Sequence, residues 1–209
     1  MDNLISDTRL IRPAKIITQV FSPFYAPIWA LLWLLFFSTY KMFRIEYRLN
    51  ILFIVVIFTV AIPKITLYIF RKAQNLSKWM FDLRENRHIQ YVVTLLSYIT
   101  CVILFTRIQA PDFFRCVLIA GVIAEVVCFI INIWWKISVH LVSIGGLVGI
   151  VSAFSHRFGF EPVTPICVII FIGGLVGSCQ MFMRQHSLVQ VLVGFFLGIV
   201  CSWIAFTFW

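Results

Sequence analysis

Trp135-Lys136-Ile137-Ser138-Val139-His140 and Arg184-Gln185-His186-Ser187-Leu188-Val189-Gln190 are the two polar interruptions in a C-terminal half that is otherwise almost continuous apolar sequence. Two hydrophobic segments lie between them, at about 137–155 and 163–183. Each is close to the ~20 residues a helix needs to cross a bilayer core. A chain that crosses twice brings both histidines back to one membrane face. Histidine can attack phosphorus or deliver a proton, and Lys and Arg hold an anionic group in place. The spacing therefore predicts a helical membrane bundle with phosphate chemistry at one of its surfaces.

Composition agrees with that class. The chain is 62% hydrophobic and 12% charged, with a mean hydropathy of +1.00. A soluble domain of 209 residues has too little interior to hide so much apolar surface. The net charge of +9 is spread over short loops between apolar runs, which fits anionic lipid head groups and argues against nucleic acid as a partner. Cys101, Cys116, Cys128, Cys167, Cys179 and Cys201 lie in or beside apolar segments without CxxC spacing and read as packing residues. Asp2 and Asp7 with no early apolar core argue against a cleaved signal peptide.

Outward from the two histidine stretches, seven apolar runs suggest an all-α polytopic bundle of six to seven helices in a single domain, residues 1–209. Residues 1–14 read as a polar N-terminal tail and 71–90 as a long polar loop. The spans are 25–40, 51–70, 91–106, 116–135, 137–155, 163–183 and 187–209. Ile144-Gly145-Gly146-Leu147-Val148-Gly149 recurs as Ile172-Gly173-Gly174-Leu175-Val176-Gly177, and Gly194/Gly198 give a third GxxxG. Small residues at this spacing let helix backbones approach closely, so the last three helices should pack as one cluster with the two histidines near each other. Glu125, in mid-span, is costly there and a functional candidate by default, with Lys64 as a possible partner. His88 and His156 read as loop residues.

With seven crossings the N-terminus, the 71–90 loop, Lys136 and Arg184–His186 share a face. On that face Asp82-Leu83-Arg84-Glu85-Asn86-Arg87-His88-Ile89-Gln90-Tyr91, Trp135-Lys136-Ile137-Ser138-Val139-His140 and the stretch from Cys179-Gln180 through His186 to Gln190 resemble the three motifs of the type 2 phosphatidic acid phosphatase (PAP2) superfamily, in a small bacterial integral-membrane form with degenerate motifs. Ala14-Lys15-Ile16-Ile17, Phe21-Ser22-Pro23 and Pro27 fit the same group. Departures are specific. Gln90 replaces a proline, the second motif lacks its proline and glycine, and in the third Cys179, Gln180 and Gln190 stand where serine, arginine and aspartate are expected.

The resemblance implies a metal-free, cofactor-free lipid phosphate phosphatase that hydrolyses a phosphomonoester or diphosphate through a phosphohistidine. It makes His186 the nucleophile and His140 the acid that protonates the leaving alcohol. Arg84, Arg87, Lys136, Ser138 and Arg184 would bind the substrate phosphate, and Gln190 would orient His186. Partners would be the lipid phosphate and membrane lipids, and the location a bacterial inner membrane. Two other readings stand beside it: an impaired member that binds a phosphorylated lipid without turnover, and a small transporter or structural protein working through Glu125 and Lys64. The motif face carries ten Lys and Arg against six opposite, and removing four proposed site residues equalises them, so the positive-inside rule assigns no orientation.

Overall fold

Proline placement divides the first half of the chain. The computed structural model describes residues 2–37, 43–73, 87–159 and 161–207, with side chains described except at 2–10, 87 and 88. Helix α1 (Asp2–Val20) includes most of the stretch read as a polar tail, so that expectation is corrected. Ala14 and Thr18 are buried, and the Thr18 hydroxyl donates back to the carbonyls of Ala14 (3.1 Å) and Lys15 (3.1 Å). Pro23 opens a single 3-10 turn to Tyr25 before α2 (Ala26–Phe37) begins.

Pro63 shapes the next span. α3 (Ile45–Val56) and α4 (Ile62–Ala73) are joined by a π-turn at Ile57–Ala61. A proline inside a helix lacks an N–H and crowds the carbonyl four residues back, which wider turns relieve. Ile62 N–H reaches Ile57 O, five residues back, and the released Phe58 carbonyl accepts from the Ser97 hydroxyl of the neighbouring helix. An orphaned carbonyl is thereby satisfied at membrane depth.

The remaining elements are α5 (Arg87–Arg107), α6 (Asp112–Trp134), α7 (Val139–Phe158), α8 (Val163–Phe182) and α9 (Leu188–Thr207). Helix α4 runs to Ala73 and α5 begins at Arg87, so helix covers both ends of the expected 71–90 loop. His156 lies in the last turn of α7, not in a loop, with its ring 5.8 Å from that of Trp203. Seven stretches are long and apolar enough to span a membrane, and the protein is an all-helical integral membrane bundle.

The glycine repeats act unequally. A Cβ on Gly145 would overlap the Phe195 carbonyl, one on Gly198 the Val142 carbonyl, and one on Gly194 would sit 2.8 Å from the Ser138 carbonyl. Backbone therefore touches backbone between α7 and α9. Ser202 Oγ donates to Gly146 O at 3.0 Å along the same seam. Helix α8 joins more loosely: Gly173 and Gly177 meet side chains, and Gly174 faces open space. A separate aromatic core of Leu31, Leu34, Phe105, Phe114 and Phe154 fills the end of the bundle where α2, α5 and α7 finish and α6 starts. That arrangement leaves the opposite end to polar residues.

Candidate functional site

His140 sits in the first turn of α7, and His186 lies two residues before α9. The tight α7–α9 seam fixes both turns at the same end of the bundle. Between them opens a cavity of about 430 Å³. Its wall takes Ser22, Pro23 and Phe24 from the break before α2, and Gln90, Tyr91 and Thr94 from the start of α5. It takes Glu125 from α6, Lys136, Val139 and His140 from the α6–α7 connection, and Gln180, Gln185 and His186 from the α8–α9 turn.

Local chemistry explains how His186 is held. Ser187-Leu188-Val189-Gln190 forms a capping box: Ser187 Oγ accepts from Gln190 N–H at 3.4 Å, and Gln190 Oε1 accepts from Ser187 N–H at 3.1 Å. The same Oε1 lies 3.2 Å from His186 Nδ1. A backbone N–H can only donate, so the amide atom between the two groups is the oxygen and Nδ1 carries the proton. The bond thereby selects the tautomer whose Nε2 holds the lone pair. Gln190 fixes tautomer and ring orientation together.

The turn before His186 is a Schellman motif. Arg184 N–H bonds to Met181 O at 2.9 Å and Gln185 N–H to Gln180 O at 3.0 Å, with Arg184 left-handed at φ 52°. Lys136 Nζ donates to the Gln185 carbonyl at 2.8 Å, tying the α6–α7 connection to the α8–α9 turn. Lys136 therefore stands between the two histidine-bearing turns.

Of the residues singled out from sequence, the cavity gathers His140, His186 and Lys136, and Gln190 touches His186 as an orienting group would. It does not gather Ser138 or Arg184. Ser138 is fully buried beneath Gly194, its Oγ without a hydrogen-bond partner, because α9 packs directly on its carbonyl. Arg184 is exposed and lies outside the lining, since the left-handed turn carries it past the cavity. Arg84 lies outside the described residues, and Arg87 opens α5 one turn before Gln90 and Tyr91.

Thr94 lies outside every sequence motif, whereas Gln185 and Ser22-Pro23 stand within the resembling stretches, where the sequence assigns them no site role. Thr94 carries a helical signal, one turn beyond Gln90 on the same face. Glu125 stood out by its charge but belongs to no motif. Lys64 is not its partner: Lys64 Nζ donates to Tyr25 Oη at 2.5 Å and lies over the Tyr25 ring, 4.4 Å from its centre. Among the described residues no three metal-ligating side chains come together. No family model, curated protein or solved structure matches the chain.

Proposed function

We propose that this protein is a lipid phosphate phosphatase of PAP2 type in a bacterial inner membrane, acting without metal or cofactor. The observation that carries the proposal is the meeting of His140, His186 and Lys136 on one cavity, with His186 oriented through Nδ1 by Gln190. His186 Nε2 attacks phosphorus and the P–O bond to the lipid breaks. The departing oxygen takes a proton from His140. Water then gives a proton to His140 as its oxygen attacks the phosphohistidine, releasing inorganic phosphate and restoring both imidazoles. Phosphoryl transfer of this kind rests on positioning and electrostatic stabilisation more than on covalent chemistry. Lys136 and the positively polarised starts of α7 and α9 supply that stabilisation.

A second reading, binding without turnover, draws on Gln180 and Gln190: both are neutral where the resembled motif carries an arginine and an aspartate. One experiment separates the readings. Purified protein in detergent is incubated with a polyprenyl diphosphate, phosphatidate and a lipid A phosphate, with and without EDTA, and phosphate release is followed. We expect release that survives EDTA and disappears in His186→Ala and His140→Ala. Release that withstands both substitutions, or that stops with EDTA and returns with added metal, overturns the mechanism. No release, with thermal stabilisation by the lipids, selects the binding reading.

A further inference from the structure

Glu125 lies on α6 nine positions before Trp134, about 14 Å along the helix from the end that bears Lys136, at ~1.5 Å per residue. It lines the floor of the 430 Å³ cavity and also a neighbouring apolar void of about 60 Å³ walled by Tyr98, Ala124 and Gly146. Its Oε2 is closed off from solvent and has no hydrogen-bond partner. Among the described residues Glu125 makes no salt bridge, and Lys64 is engaged with Tyr25. The adjacent Thr94 hydroxyl, the one side-chain donor that reaches the Glu125 carboxyl group among the described residues, also lies within bonding distance of the backbone carbonyls of Gln90 (2.8 Å) and Tyr91 (3.1 Å), so Oε2 itself stays unpaired. A buried acceptor left without a donor is costly, and such groups in a membrane interior mark functional sites. Glu125 lines both cavities, so a donor can reach it through them. Gln180 adds a second acceptor on the same wall: the residue is 1% exposed and its Oε1 also lacks a donor.

A phosphate group brings mainly acceptors, so it meets Lys136 and the histidines but leaves these two oxygens unsatisfied. The missing chemistry is a hydrogen-bond donor on the head group itself. An ammonium would face repulsion from Lys136 and from either histidine when protonated. A neutral hydroxyl meets none. We propose that Glu125 is a specificity-determining residue that accepts a hydrogen bond from a free hydroxyl beside the phosphate ester, selecting hydroxyl-bearing lipid phosphates over plain alkyl or prenyl phosphates. The proposal rests on the lipid-phosphate reading above and names its substrate class.

The test uses a matched pair of probes in detergent: a long-chain lysophosphatidate, with its free hydroxyl, and the deoxy analogue, the same acyl ester of propanediol phosphate. Wild type should favour the hydroxylated lipid by about tenfold in kcat/KM, as expected when a buried acceptor gains a hydrogen-bond donor. Glu125→Leu, which suits an apolar helix, should bring the ratio close to one. Glu125→Gln, which keeps a neutral acceptor, should fall between them. Equal action of wild type on both lipids, or a preference that survives Glu125→Leu, overturns the hydroxyl assignment while leaving the phosphatase standing. If neither lipid is turned over, the comparison is made on thermal stabilisation by each. Neither turnover nor stabilisation removes the lipid-phosphate reading, and the role of Glu125 with it.

Discussion

Replacing Gln190 with glutamate changes one group of the site and almost nothing of its shape. Gln190 Oε1 already lies 3.2 Å from His186 Nδ1 and 3.1 Å from Ser187 N, so an isosteric carboxylate oxygen falls in the same place. Aspartate, the residue expected from the resembled motif, is one methylene shorter and cannot span both contacts unless the turn shifts. Two effects should follow from Gln190→Glu. A glutamate at the third helical position completes the serine–glutamate capping box and faces the positive end of the helix, adding about 0.3–1 kcal/mol to stability. A negative charge beside the imidazole also stabilises the cationic phosphoimidazole, where the neutral amide offers only a dipole. Positioned effects of this kind are worth about 10- to 1000-fold in rate. The assay is phosphate release by purified protein across the lipid panel, with thermal unfolding measured on the same preparations. His186→Ala introduced into the Gln190→Glu background should remove the gain. A variant that unfolds at a higher temperature, showing its carboxylate seated in the cap, yet turns over no faster than wild type refutes the assignment of His186 as nucleophile.

Two further outcomes follow from the backbone. Gly198→Ala should destabilise the bundle by roughly 1–3 kcal/mol or more, because its Cβ meets the Val142 carbonyl, whereas Gly174→Ala, with nothing within 4 Å, should be nearly neutral; thermal unfolding in detergent compares them. Arg184→Gly should stabilise the protein by about 1 kcal/mol by relieving the left-handed conformation at φ 52°, less the added freedom of the unfolded chain, and should leave phosphate release unchanged because Arg184 does not line the cavity; a fall in release with folding intact would return Arg184 to the phosphate site.

The sequence exposes some of this structure and conceals the rest for identifiable reasons. Spans are legible because a bilayer requires about 20 apolar residues and internal backbone pairing, and both demands mark the chain directly. The meeting of α7 and α9 is legible too, since only glycine at Gly145, Gly194 and Gly198 permits the contact. The histidines follow, being attached to those helix starts. Helix α1 is hidden because its polar residues resemble a tail, while burial of Ala14 and Thr18 is a tertiary matter. Ser138 and Arg184 mislead for a related reason: proximity in a motif does not give direction. Ser138 is buried where α9 packs on its carbonyl, and Arg184 is exposed and itself left-handed. Glu125 carries its charge openly, yet what it faces is set by α5 and by the break at Pro23, which lie far from it in the chain.

Lys136 shows how structure and chemistry share a residue in this fold. The α8–α9 turn leaves backbone carbonyls beyond the end of α8, and that of Gln185 belongs to a residue lining the cavity. Left uncovered, the Gln185 carbonyl would repel a phosphate beside His186. The Lys136 ammonium covers it at 2.8 Å while lining the same cavity. The same bond joins the connection that bears His140 to the turn that bears His186. A point charge on a flexible stem suits this double duty better than a planar guanidinium, which would commit its donors in one plane. The two imidazoles are thus held at one cavity by three devices: the α7–α9 glycine seam, the capping box of α9 and the Lys136 bridge. The last two are built from groups that satisfy helix ends, and together the three place an oriented imidazole, a second imidazole and a cation around one cavity.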